Sequence, residues 1–257
     1  MPTGSQKTSL KIQSDPGATA NPTEYVHVSS MHFLGGTEDC VHYSPSNMNE
    51  FDVNQYGVFE DCKFTTISIS EFLMSIFGPN NTVRNNVFDA TGSNAFFNTC
   101  ILFSKLIAAA PDPDNCEAYN NTFYMGDTRQ DFRGVWFETF AHNGIAKNNL
   151  MVVTSTFAGT ALVILDNGVS TTLSNNFNRI QNTNNDLVAP STGDFTLNSG
   201  SGMRNGGTSV PVFDDYLGLQ RFEGSDYDAG AYEFGASEFV YGPESFNVPV
   251  TNIIYNS

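Results

Sequence analysis

Polar and apolar positions along the chain repeat around a pair of asparagines. Asn85-Asn86, Asn120-Asn121, Asn148-Asn149 and Asn175-Asn176 each follow an apolar residue and then a polar one. In the first three, a variable residue and a large apolar residue come next. Two weaker copies lie upstream, Val28-Ser29-Ser30-Met31-His32-Phe33 and Phe59-Glu60-Asp61-Cys62-Lys63-Phe64. The copies begin at residues 28, 59, 83, 118, 146 and 173, in steps of 31, 24, 35, 28 and 27. Steps of that length predict a solenoid.

Within one copy the two apolar positions are five apart, so strict strand alternation would put them on opposite faces. A bend at the Asn pair returns them to one side, and asparagine suits it because it tolerates left-handed backbone. Stacked rungs then place like side chains above one another. Asn86, Asn121, Asn149 and Asn176 are expected to form a ladder of amides, each bond contributing about 1 kcal/mol. Phe33, Phe64, Phe88, Phe123 and Met151 are expected inside, and Ser29, Glu60, Arg84, Tyr119, Lys147 and Ser174 facing water. The uneven steps suit an all-β parallel β-helix, whose corner loops vary while its strands stay stacked. The competing arrangement is a β-sandwich or jelly roll with accidental Asn pairs. Asn80-Asn81 and Asn184-Asn185 fall outside the register and are read as accidental.

Composition narrows the class. The 22 Phe and 10 Tyr suit stacked aromatic columns. A net charge of −16 with only 11 Lys and Arg excludes nucleic acid as a partner. No apolar run approaches the roughly 18 residues of a membrane helix. Residues 1–24 read as an irregular lead-in or incomplete first coil, with no charged-then-apolar signal pattern, so the numbering is expected to begin at a mature or truncated end. Residues 25–207 read as the coils, and 208–257 as a capping segment and extended tail that packs along the helix or leads to a further domain. Cys40, Cys62, Cys100 and Cys116 fit no zinc spacing and allow either disulfides or buried thiols. Cys62 stands at a ladder position.

The end of the coil region carries a resemblance. Asp194-Phe195-Thr196-Leu197 leads into a Gly-Ser-rich turn through Gly206, and Asp215, Gly218, Arg221, Asp228, Gly230, Ala231 and Glu233 form a D-x-x-G-x-x-R…D-x-G-A-x-E pattern. This resembles the last coil of secreted bacterial right-handed parallel β-helix proteins, a group that includes polysaccharide lyases and depolymerases. Ser201 and Arg204 depart from the proline and acid more usual in that turn. The resemblance implies a right-handed β-helix of about six to eight coils, placed outside the cell or on its surface. An Arg221–Asp228 ion pair is expected to pin the capping segment.

The same resemblance implies polysaccharide as partner, a basic side chain to remove a proton beside a uronate, and Ca²⁺ as the cation. Candidate bases are Lys105, Arg129, Arg133, Lys147, His32 and His142, with Lys105 and Arg133 the first choices for catalysis. Trp136, Tyr119 and Arg129 are the expected sugar contacts, and Asp226 and Asp228 the expected calcium ligands. Asp112, Asp114 and Asp131 are further acids in loops. The polygalacturonase-like set of inverting glycosidases is not present, the only D-D pair, Asp214-Asp215, falling in the capping segment, and no serine nucleophile elbow is found. Two functional readings follow: a carbohydrate-binding or polysaccharide-processing domain, or a non-enzymatic adhesin, filament or scaffold module that self-assembles or joins other domains.

Overall fold

The computed structural model describes residues 8–13, 23–34, 39–44, 54–66, 72–91, 99–106, 110–125, 131–157, 159–221 and 224–237. Its strands form a right-handed parallel β-helix with three six-stranded sheets. The first sheet holds Thr8–Gln13, Asp39–Ser44, Phe72–Phe77, Thr99–Ser104, Asp131–Phe137 and Thr160–Asp166. The second runs from His27–Ser29 through Val58–Glu60, Thr82–Arg84, Glu117–Tyr119 and Ile145–Lys147 to Thr172–Ser174, and the third from His32–Leu34 through Lys63–Thr65, Val87–Asp89, Thr122–Met125 and Leu150–Val153 to Phe177–Ile180. Pairing is in register: Val83 lies between Phe59 and Ala118, and Phe88 between Phe64 and Phe123.

Two corners give each rung its shape, and both are columns of left-handed residues. Ser30, Asp61, Asn85, Asn120, Asn148 and Asn175 have φ between 51 and 58° where the second sheet turns into the third. Five residues upstream, Tyr25, Tyr56, Asn80, Asn115, Asn143 and Ser170 have φ between 53 and 58°. Asn80-Asn81 is therefore no accident: it is the third rung of this upstream corner, and Asn81 Oδ1 accepts the Gly57 N–H at 2.8 Å. Asn184-Asn185 does stand apart, with Asn185 ending the short helical turn Gln181–Asn184.

The two asparagines of a pair have different jobs. The second points inward. Asn86 Nδ2 donates to Asn121 Oδ1 (3.1 Å), Asn121 Nδ2 to Asn149 Oδ1 (3.0 Å) and Asn149 Nδ2 to Asn176 Oδ1 (2.9 Å). Each of these oxygens also accepts the main-chain N–H of the Asn below it, and each amide donates to a carbonyl of the rung below. Cys62 continues the column with its N–H on Asn86 Oδ1. Beside the ladder, Phe33, Phe64, Phe88 and Phe123 stack with centroids 5.0, 4.7 and 5.1 Å apart. All four cysteines are buried, and Cys62, Cys100 and Cys116 carry free thiols. Burial pushes the Cys62 thiol up to about 11 and the Cys116 thiol to about 12.

The first asparagine points outward and holds a returning strap. After the antiparallel pair Leu187–Ala189 and Asp194–Leu197, the chain runs back down this corner. Asn175 Nδ2 donates to Gly206 O, Asn148 Nδ2 to Thr208 O and Asn85 Nδ2 to Asp214 O, at 2.7–2.9 Å. Asn120 Nδ2 reaches Asp228 O at 3.2 Å and Gly230 O at 3.3 Å. Gly230 is needed at this seat, because its φ is +97° and a Cβ would meet Thr122 Oγ1 at 2.7 Å. The described part of the segment read as a cap thus lies along the flank of the helix.

The strap revises two expectations. Tyr119 does not face water; it is 4% exposed beneath Val210 and Val212. Arg221, fully buried, does not pair with Asp228. Its Nη1 lies 3.4 Å from Glu233 Oε2, and its Nη2 donates to Asn85 Oδ1, Gly230 O and Ala231 O.

Candidate functional site

The strap and its neighbours also cover much of the third sheet, where Phe195, Leu197, Met203 and Ala231 pack with Val87, Tyr124 and Leu150. Among the described residues, the second sheet stays open at its first rungs, and an unusual corner lies there. Tyr25 and Tyr56 both sit at φ 57° in the upstream column, where later rungs use Asn and Ser. A bulky residue in that region stores about 1–3 kcal/mol of strain. The rings stack with centroids 5.1 Å apart and planes 12° from parallel. Stacking repays about 0.5–1.5 kcal/mol of the strain. Tyr25 remains 75% exposed, so one ring face lies open to solvent.

Beside the tyrosines runs a line of charge across three rungs. His27, Glu60 and Arg84 project outward from neighbouring strands. Glu60 Oε1 lies 2.5 Å from His27 Nε2, and Glu60 Oε2 accepts Arg84 Nε at 2.5 Å. Arg84 Nη1 donates to Pro211 O of the strap at 3.0 Å, which fixes the guanidinium. Together with Val26 and Val58, these residues line an open hollow of about 250 Å³. An apolar ring face beside fixed, mutually balanced polar groups is suited to a ligand with a C–H face and several hydroxyls.

Asp61 lies next to this line. Burial, with the Glu60 and Asp214 carboxylates nearby, raises its carboxyl to about 7. Its Oδ1 is buried without a hydrogen-bond partner among the described residues. In later rungs the same position holds the strap-binding asparagines.

The candidates expected from sequence do not converge. In the first sheet Arg133 stands opposite Thr99, six residues before Lys105 and thus about 20 Å away along the strand. Lys105 Nζ is engaged by Asp112 Oδ1 at 2.7 Å and lies over Phe140. Arg133 lies over the Trp136 ring, 5.1 Å from its centroid, so that the ring is occupied. Tyr119 is covered by the strap, and Arg129 lies outside the described residues. Asp226 accepts the Tyr227 N–H. Asp228 accepts the Asn205 and Phe234 N–H groups at 2.6 Å, one on each oxygen. Both Asp228 oxygens are thus committed to the strap, and this donor set does not fit Ca²⁺, which needs six to eight free oxygen ligands.

The one grouping of metal-ligand type among the described residues is Asp112, Asp114 and His142, with ligand atoms within 4.8 Å of one another. His142 Nδ1 lies 2.8 Å from Asp114 Oδ1, and the Lys105 ammonium already balances Asp112. Sequence reasoning left this trio apart. The signal was the 28-residue step from Asp114 to His142, the same as from Asn120 to Asn148. Tyr25 and Tyr56 were missed in the same way, although their 31-residue step is that from Ser30 to Asp61.

Comparison with protein-family models, curated proteins and solved structures finds no match to the chain. Any functional assignment rests on the site itself.

Proposed function

We propose that the protein is a glycan-binding β-helix module of the cell exterior, which holds its ligand on the Tyr25–Tyr56 shelf without cleaving it. One observation carries this reading: two tyrosines are kept in strained left-handed backbone and left exposed, where four other rungs use Asn or Ser. Strain held at one place and absent from equivalent places marks selection for something other than stability. A sugar ring laid on the free face of Tyr25 brings its hydroxyls toward His27, Glu60 and Arg84. Because Glu60 is matched by Arg84 and His27, the shelf suits a neutral glycan better than a polyuronate. Binding, not lysis, is favoured because Lys105 and Arg133 are about 20 Å apart and each is already engaged.

The test is titration of the full chain against neutral and uronate polysaccharides, with absorbance followed for unsaturated uronate products. The expected result is binding of a neutral glycan, about tenfold weaker in Tyr25→Ala, with no absorbing product. A tenfold loss corresponds to about 1.4 kcal/mol, the scale of one lost ring contact. Binding unchanged in Tyr25→Ala, or product formed by the wild-type chain, overturns the proposal. A second reading, a rigid spacer or adhesin stalk, is favoured by the ladder and phenylalanine stack running through successive rungs. Absence of any glycan binding together with high stability selects it.

A further inference from the structure

One residue of the strap-binding corner carries a carboxyl group. Ser30, Asp61, Asn85, Asn120, Asn148 and Asn175 share the left-handed corner. On the last four of these rungs the side-chain amide donates to a main-chain carbonyl of the strap. The strap thus presents acceptors to this column, and each of those rungs meets it with a donor. Asp61 differs. An ionised carboxylate can only accept, whereas a protonated one has an O–H to donate. With its proton on, Asp61 holds the kind of group its column uses. With the proton off, it sets a negative charge where strap carbonyls face the corner.

The surroundings favour the proton. Asp61 Oδ1 is buried and has no hydrogen-bond partner among the described residues. Its charged neighbours are Glu60 on its own rung, Asp214 on the strap and Arg84 on the next rung. Arg84 is already committed, its Nε to Glu60 Oε2 at 2.5 Å. Arg221 approaches through Asn85 Oδ1 and Asp214 O, and Glu233 balances it. Tyr216 and Cys62 lie within electrostatic reach of Asp61. Burial pushes both of their protons on more firmly, Cys62 to about 11, so both stay neutral near pH 7.

The strap is fastened close by. Asn85 Nδ2 and Arg221 Nε both donate to Asp214 O, at 2.9 and 2.8 Å. Asp215 Oδ1 then accepts the N–H groups of Leu217 and Leu219, which closes a tight turn. Three residues before Asp214, Pro211 O accepts Arg84 Nη1 at 3.0 Å. That bond ties the strap to the shelf, because Arg84 also holds Glu60, and Glu60 meets His27.

We propose that Asp61 is a proton-operated latch: protonated, it lets the strap turn around Asp214 seat on the corner and fix Arg84 in the shelf; ionised, it lifts that turn and loosens the shelf. The link to the shelf rests on the glycan-binding reading above, whereas the latch itself does not. The sign follows from burial. Under the seated strap the Asp61 carboxyl is raised to about 7 from the ordinary 3.8, so the seated state binds the proton more tightly than the lifted one. Seating is strongest in acid and weakens as pH rises through about 7. With those two values it is about tenfold less favourable at pH 8 than at pH 6.

Amide hydrogen exchange of the full chain, corrected for the intrinsic effect of pH, reads the latch directly. Protection of the Tyr216, Leu219 and Arg221 N–H groups is expected to fall about tenfold from pH 6 to pH 8. Gly207 and Thr208, higher on the strap, are expected to hold steady. In Asp61→Asn, whose amide has no such proton to lose, protection is expected to be equal at both pH values. No fall in the wild-type chain, an equal fall at Gly207 and Thr208, or the same fall in Asp61→Asn overturns the latch whether or not a glycan binds. Carbon NMR of the wild-type Asp61 carboxyl is a check that needs no variant: a midpoint near 7 supports the latch, and one near 4 overturns it. Titration with a neutral glycan at the same two pH values reads the link to the shelf. Binding that weakens at pH 8 in the wild-type chain alone supports the link, and binding that ignores pH overturns it. No binding at either pH, with the strap still responding, overturns the glycan-binding reading and leaves the latch standing.

Discussion

Asn121→Ala removes the centre of the amide ladder, and its cost follows from the bonds around it. Asn121 Nδ2 donates to Val83 O and Asn149 Oδ1, while its Oδ1 accepts the N–H and the Nδ2 of Asn86. Three of the four partners keep another bond. Asn149 Oδ1 still accepts the main-chain N–H of residue 121, and Asn86 Nδ2 still reaches Phe59 O. Asn86 N–H loses its partner in a fully buried setting, whereas Val83 O stays within its sheet ladder. Stranding a buried polar group costs about 1–3 kcal/mol, so the variant is expected to lose about 2 kcal/mol. The matched comparison is Asn120→Gly, which keeps the left-handed corner and gives up only long bonds, two to the strap and one from Asn148 Nδ2 at 3.4 Å, a loss of about 1 kcal/mol. Urea unfolding followed by far-ultraviolet circular dichroism measures both. A loss below about 1 kcal/mol for Asn121→Ala, or equal losses for the two variants, would refute the division of labour between inner and outer asparagines.

Other consequences are open to measurement. Asp61 has its carboxyl raised to about 7 from the ordinary 3.8, so the folded state binds a proton more tightly than the unfolded chain. Its stabilising share is full below about pH 4 and is lost as pH rises through about 7. Asp61→Asn is therefore expected to flatten the decline in stability between pH 4 and 7 and to raise Tm at pH 7.5; an unchanged pH profile contradicts this. Tyr25→Asn restores the residue type of later rungs and is expected to gain about 1 kcal/mol while weakening glycan binding. A variant that loses stability instead would show that the corner is unstrained. Arg221→Met leaves Glu233 buried without its partner and is expected to cost about 3–5 kcal/mol, with protease cleavage of the strap as the readout. The thiols of Cys62, Cys100 and Cys116, buried and pushed upward in pKa, are expected to ignore an aromatic disulfide reagent until denaturant is added.

What the sequence disclosed follows from what each contact requires. An amide ladder needs the same side chain on each rung, so Asn86, Asn121, Asn149 and Asn176 were legible as a column. The phenylalanine stack was legible for the same reason. The upstream corner needs only a residue that can be held at positive φ, and its identity drifts from Tyr to Asn to Ser, which hid it. The outer asparagines bind main-chain carbonyls of the strap, and carbonyls leave no trace in a residue pattern. Tyr119 read as exposed because what covers it, Val210 and Val212, comes about ninety residues later in the chain. The shelf was missed because Tyr25, His27, Glu60 and Arg84 meet only through stacking of rungs.

The side-chain amides themselves give the most direct test of the ladder. In uniformly nitrogen-labelled protein, the Nδ2 protons of Asn86, Asn121 and Asn149 are expected to exchange with solvent as slowly as the strand N–H groups around them, because each is bonded both to the next rung and to a carbonyl below. The exposed Asn143 serves as the fast reference within the same spectrum. Exchange of the three buried amides at the rate of Asn143 would contradict the stacked column on which the fold, the strap and the shelf all depend.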